Sequence, residues 1–290
     1  MTYLMQHAAE GERIRAKTDP LVLRHHLDWA GLEPGDAFVD FGCASGEAVR
    51  EATRRVAWGS VTGVDADAST LRYARAESDR LFLGRIAYRQ ALIDGPGSSG
   101  LETDSHDHAW ARFLLEYHQD PLGAVREMTR VVRPGGKVTL IDIDGNCIWH
   151  HPLPGKLERR LSCVLADLRQ IGFDPRIGSK LPGLARRAGL VDIRQSIEPH
   201  HRIVGEPDEP TAAAWTRKLQ TLKQLYLQQV PADEAEKAAA LDDLLAFILS
   251  GETMTWSLVY LVQGRKPLTR PPARELRVPA PSRRNGAARR

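Results

Sequence analysis

From residue 19 to residue 142 the apolar positions switch repeatedly between two spacings. Asp19-Pro20 precedes Leu21, Leu23, Leu27 and Ala30 on one rough face, and Gly31 follows, which predicts a capped helix. Ala37–Phe41 is a short apolar run that breaks into Gly42-Cys-Ala-Ser-Gly46. After it Ala48, Val49, Ala52 and Val56 return at helical spacing, so the pattern reads strand, glycine turn, helix. Ser60–Asp65 is a second strand, and Ser69 is the expected N-cap of a helix carrying Leu71, Ala74 and Ala76. Arg85–Arg89 and His108–Ala111 are the third and fourth strands, separated by a loop at Asp94–Gly100. Asp120-Pro121 opens a helix with Leu122, Val125, Met128 and Val132 aligned, Pro134-Gly-Gly136 stops it, and Lys137–Asp142 is a fifth strand.

Strands alternating with helices at this spacing predict βαβ units and a parallel sheet. After Ile148 the pattern changes. Helix is expected near 155–172, at Leu181–Ala188, along Trp215, Leu219, Leu222 and Tyr226, and from about Ala232 to Leu249. Strands are expected at Val191–Ile197 and Met254–Val262. The predicted fold class is therefore α/β: a Rossmann-like, seven-stranded, mostly parallel sheet with helices on both faces. An N-terminal helical cover spans 1–32, the main domain 33–266 carries helical insertions near 155–172 and 209–250, and a basic tail follows at 267–290.

Composition narrows the class. With 42% hydrophobic and 27% charged residues the chain can bury an ordinary core. No stretch approaches the roughly 18 apolar residues of a membrane helix, and no secretion signal is visible, so a cytoplasmic location and no membrane partner are expected. Cys43, Cys147 and Cys163 are odd in number and lack metal-ligand spacing, so neither a disulfide framework nor a metal site is predicted. The net charge of +3 hides an asymmetry: Arg265 to Arg290 holds nine Lys or Arg and one Glu, which leaves the body at −5. The tail reads as a disordered terminus, or as an arm for nucleic acid or an acidic partner; the acidic body disfavours nucleic acid.

The chemistry sits at the first turn. Glycines between a strand and a helix let the backbone approach a ligand, and Asp65, 19 positions after Gly46 at the end of the second strand, suits ribose hydroxyls. The turn is G-x-x-x-G rather than the G-x-G-x-x-G of dinucleotide sites, and the preceding Asp40 suits a cationic ligand end rather than a pyrophosphate.

Val39-Asp-Phe-Gly-Cys-Ala-Ser-Gly46, Gly63-Val-Asp65, the Asp107–Pro121 stretch and Arg130-Val-Val-Arg-Pro-Gly-Gly136 resemble successive motifs of the class I S-adenosylmethionine-dependent methyltransferases. Tyr3 with Glu12-Arg-Ile14 is similar to the helix that covers the cofactor in many small-molecule members, and Arg176–Gly183 with Ala188-Gly-Leu190 looks like the approach to the family's sixth strand. The resemblance implies S-adenosylmethionine as cofactor. By it Gly42, Cys43, Ala44 and Gly46 line the methionine portion, Asp65 and Ala66 hold the ribose, and Trp110, Ala111 and Arg112 lie beside the sulfonium. Tyr3 and Arg13 belong to the cover. Two departures stand out: Ala44 replaces the usual middle glycine, and Gln90 replaces the acidic residue near the adenine amine.

The resemblance also implies a small-molecule acceptor of the quinone or natural-product kind, with the inserted helices as a lid and a homodimer left open as the assembly. Candidates for a general base, from their places after the fourth and fifth strands, are His118, His150, His151 and Asp144; turn and capping roles compete for each. The doublets His25-His26 and His200-His201 carry no assigned purpose. Rival readings are a protein of this fold that holds the cofactor without methyl transfer, a nucleic-acid methyltransferase using the tail, and a nicotinamide-dependent dehydrogenase.

Overall fold

A computed structural model describes residues 18–229 and 237–268. Tyr3, Arg13 and all of the tail beyond residue 268 lie outside the described residues, as does the part of the expected cover before residue 18.

Asp19 caps the first described helix, α1 (Pro20–Ala30), by accepting from the amides of Leu21 and Val22. Gly31 closes it in the left-handed conformation at φ 67°, where a side chain would be strained. Then come β1 (Ala37–Phe41), α2 (Glu47–Thr53), β2 (Ser60–Asp65), α3 (Ala68–Arg80), β3 (Ile86–Gln90), β4 (His106–Arg112), α4 (Pro121–Val131) and β5 (Val132–His151). The second half holds α5 (Gly155–Gln170), α6 (Leu181–Arg187), β6 (Val191–Val204), α7 (Glu209–Gln229), α8 (Ala239–Leu249) and β7 (Met254–Arg265). Short 3₁₀ turns sit at Leu115–Tyr117 and Gly178–Lys180.

The strands form one sheet in the order β3-β2-β1-β4-β5-β7-β6. β1 to β5 run parallel, and β7 enters antiparallel to both β5 and β6. The chain leaves β1 towards β2 and β3, then crosses back to β4 on the other side of β1. In open α/β sheets a ligand crevice lies at the carboxyl ends of the strands flanking such a reversal. Here those are the ends of β1 and β4.

Three apolar cores hold the layers together. Val39, Ala109, Ala111 and Leu140 meet α4 and α6 on one face. Phe38, Trp110, Ile141 and Leu261 meet α1 and α2 on the other. The third core lies among α5, α7 and α8, where Leu161, Val164 and Leu168 pack with Trp215, Leu219 and Leu244. The Tyr226 hydroxyl donates to Asp167 Oδ2 at 2.8 Å and joins α7 to α5.

Local differences from the sequence pattern have physical causes. Asp67, not Ser69, caps α3, because its carboxylate accepts from the Ser69 amide two residues ahead. Helix α4 ends at Val131, before the Pro134-Gly-Gly136 breaker. β5 runs on to His151 and β6 to Val204, well beyond the apolar runs. β7 pairs with both extensions, Trp149 opposite Trp256 and Val204 opposite Met254, so backbone pairing rather than side-chain alternation carries them forward. These extensions project past the carboxyl end of the sheet.

Candidate active site

The turn after β1 is built by hydrogen bonds to β2. The amides of Gly42 and Cys43 donate to the Val64 carbonyl at 2.8 and 3.0 Å, and the Gly46 amide to the Cys43 carbonyl at 2.8 Å. The Ala44 amide donates to Asp65 Oδ2 at 2.8 Å, and the Asp67 amide to Asp65 Oδ1 at 2.9 Å. Gly42 is at φ 75°, and a Cβ there would lie 2.7 Å from Leu114, the residue that closes the opposite wall. Ala44 adopts φ 43°, a left-handed conformation unusual for alanine.

With four turn amides engaged internally, the loop does not offer the cradle of free N–H groups that a pyrophosphate requires. It offers carboxylates instead. Asp40 is buried at the end of β1; burial first, and the nearby Asp65 second, hold its carboxyl well above the usual range, while Arg112 opposes them. Burial also raises Asp65. Two neighbouring carboxyls, Asp40 buried and Asp65 partly so, repel each other and are relieved by a cation, so this end suits an ammonium or sulfonium. Asp65 still has lone pairs beyond the two amides, and Gln90, whose Nε2 donates to the Ala66 carbonyl at 3.1 Å, keeps Oε1 for a donor. The residues present therefore fit the adenosine and methionine portions of S-adenosylmethionine.

Several expected contacts are redistributed. The Cys43 side chain is buried against Gly63, where an added Cβ would lie 2.8 Å from its sulfur, so only the Cys43 backbone lines the turn. Trp110 is fully buried with its ring 6.4 Å from Phe38, and Ala111 is buried on the opposite face; neither side chain reaches the crevice. Strand alternation sends both into the cores. Arg112, the last residue of β4, does reach it.

Arg112 ties the crevice to a second cluster. Its Nε donates to His26 Nδ1 at 3.2 Å. A guanidinium has no acceptor, so His26 carries its proton on Nε2, which donates to Glu198 Oε2 at 3.2 Å. His25 Nε2 meets the other Glu198 oxygen at 2.8 Å. Burial lowers Arg112 to about 10 against the charges of Asp40, Asp142 and Asp19. Asp142 accepts from the amides of Leu115, Glu116 and Ile143 and so fixes the 3₁₀ turn that follows β4.

Beyond Arg112 the histidines continue. The Phe113 ring lies 5.9 Å from His200, His200 lies 3.9 Å from His201, and His201 lies 5.5 Å from Trp215 of α7. His150 is 6.5 Å from Trp215, with Nδ1 at 2.8 Å from Thr255 Oγ1 and Nε2 buried without a hydrogen-bond partner. Burial holds His26, His150 and His200 near 4, so all three are neutral at neutral pH.

Of the general-base candidates the structure brings only His150 into this cluster. Asp144 accepts from the Ser179 amide at 2.8 Å and anchors a turn on the α4 and α6 face. His118 lies after the 3₁₀ turn, among the charges of Asp94 and Asp120. Its pKa is lowered by burial, and neither charge belongs to the cluster. His151 is exposed. The cluster members His26, His200 and Glu198, and Lys218 whose ammonium lies 4.4 Å from the Trp215 ring centre, carry no local motif; two adjacent-histidine doublets were the available signal. No group of three or more His, Cys, Asp or Glu among the described residues is arranged to hold a metal ion.

Residues 39–140 match the family model described as a methyltransferase domain. Over those residues the chain resembles a methyltransferase domain, and its fold is one that solved methyltransferases share. It is 30% identical over 128 residues to a ubiquinone biosynthesis O-methyltransferase of Alkalilimnicola ehrlichii, covering 44% of this chain and 50% of that protein. The chain spans about half the length of these curated relatives. Among solved structures, phosphoethanolamine N-methyltransferase 2 of Haemonchus contortus, in complex with phosphomonomethylethanolamine and S-adenosylhomocysteine, aligns with TM-score 0.53 at 16% identity over 85% of this chain and 52% of that one. The [4+2]-cyclase SpnF aligns with TM-score 0.55 at 17% identity over 86% and 81%. One fold thus serves different chemistries. Among the described residues no helix is long and apolar enough to cross a membrane.

Proposed function

We propose that this protein methylates a small molecule, with S-adenosylmethionine as donor and the methyl passed in line to the acceptor. The observation that carries the reading is the turn Gly42–Gly46 fastened to Asp65 beside the buried Asp40, a site for an adenosine with a cationic end. When bound, S-adenosylmethionine supplies a methyl group already activated by its sulfonium. The protein's task is then alignment and exclusion of water, which can contribute roughly 7–11 kcal/mol.

In this reading Asp65, Ala66 and Gln90 hold the adenosine, while Asp40, the Gly42–Gly46 backbone and Arg112 hold the amino-acid end. The acceptor occupies the space between Phe113, His200 and Trp215, under the lid of α5, α7 and α8. Where the acceptor holds its proton tightly, neutral His150 or His200 receives it, an effect worth roughly a hundred- to ten-thousand-fold. Asp144 and His118 act as structural residues.

The ubiquinone-pathway relative supports an acceptor of the quinone or natural-product kind. The body charge of −5 disfavours nucleic acid. Calorimetric titration with S-adenosylmethionine, S-adenosylhomocysteine and NAD tests the reading: the first two bind and the third does not. Absence of binding by both sulfur compounds overturns it. Binding without turnover across an acceptor panel favours the alternative, a fold that holds the cofactor for another reaction.

A further inference from the structure

Lys218 lies on α7, one turn after Trp215, with its ammonium 4.4 Å from the centre of the Trp215 ring. The Nζ atom is buried and has no hydrogen-bond partner among the described residues. A buried ammonium with three unmet donors is costly, and one ring face offsets only part of that. Its charge reaches the other wall of the cluster, where it helps keep His150 and His200 neutral. Buried His150 Nε2 is a second polar atom without a partner in the same place. The Trp215 ring lies beside both, and from it a series of rings continues through His201 and His200 to Phe113.

From this juxtaposition of an unpaired buried ammonium, an unpaired imidazole nitrogen and ring walls, we infer that the acceptor is an aromatic or conjugated acid. Its anionic oxygen, carboxylate in the first instance, is received by Lys218 Nζ. The inference rests on the proposed methyl transfer and names its substrate class. It gives the lid a task in specificity: a neutral analogue leaves the ammonium unmet, and a site with an unmet buried group rejects the ligand that fails to fill it.

The experiment uses the full chain in two stages. S-adenosylhomocysteine is first titrated into wild type, Lys218→Met and Lys218→Arg, with thermal unfolding of each as a folding control. Benzoate and its neutral isostere benzamide are then titrated calorimetrically into each loaded protein. Benzoate is expected to bind wild type at least about tenfold more tightly than benzamide, because its oxygen accepts a charge-assisted hydrogen bond from the ammonium. The preference disappears in Lys218→Met and returns in Lys218→Arg, with S-adenosylhomocysteine affinity equal in all three. Equal binding of the two probes to wild type, including binding of neither at millimolar concentration, overturns the inference, as does an unchanged preference in Lys218→Met. Failure of S-adenosylhomocysteine to bind wild type overturns the proposed function instead, before either probe is added.

Discussion

The Ala44 amide donates to Asp65 Oδ2 at 2.8 Å, joining the turn after β1 to the end of β2. One carboxylate thereby shapes the loop and presents its remaining lone pairs to a ligand. Asp65→Ala is expected to do two things. S-adenosylhomocysteine affinity falls by at least about tenfold, and stability falls by roughly 1–3 kcal/mol because the Ala44 and Asp67 amides lose their acceptor. Calorimetry and denaturant unfolding read the two separately; unchanged affinity would remove Asp65 from the cofactor site.

Ala44 carries the opposite strain. A left-handed alanine costs about 1 kcal/mol that glycine avoids. Ala44→Gly should stabilise the protein by up to about 1 kcal/mol with cofactor affinity kept or improved. A loss of stability would mean that the Cβ makes a packing contact worth more than the strain.

Glu127 of α4 is fully buried and receives the amides of Gly97 and Ser99, the Ser99 hydroxyl and the Arg130 guanidinium. These partners hold its carboxyl down at about 2 against the opposing effect of burial. Glu127→Ala should cost about 3 kcal/mol, since it takes the acceptor from the Gly97 and Ser99 amides and the counter-charge from Arg130, which keeps only Leu101 and Thr103. Urea unfolding measures this, and a change under 1 kcal/mol would show that the 94–100 loop finds other partners.

His150 should give an acid-side signature. Its folded pKa, about 4, lies below the free value of 6.5, chiefly through burial. The unfolded chain therefore takes up this proton first as the pH falls. The stability it contributes is complete above pH 6.5 and is lost down to about pH 4, at no more than about 1.4 kcal/mol per pH unit. Wild type should thus lose ground relative to His150→Gln across that window and run parallel to it above. Parallel curves throughout would mean that the imidazole is protonated alike in both states.

Much of the sheet was legible because it depends on nearby residues. The apolar run Ala37–Phe41, the glycines at 42 and 46 and the acid at 65 report a strand, a tight turn and a strand end through spacing alone, and β1 and β2 begin and end where that spacing put them. Caps such as Asp19 and Asp120 act within three residues of themselves. The far ends of β5 and β6 were not legible. Their polar residues are held by pairing with β7, which enters about a hundred positions after His151.

The sequence by itself thus determined the βαβ order, the glycine turn and an acid at the end of β2, all governed by chain-local sterics and strand alternation. Tertiary structure alone decided which side chains meet. Alternation at β4 sent Trp110 and Ala111 into opposite cores and Arg112 to the crevice. It also brought His26, 172 positions from Glu198, and Lys218, 68 positions from His150, into one cluster. Contacts at such separations are fixed by where α1, α7 and the sheet strands β5 and β6 come together, and no local pattern encodes them.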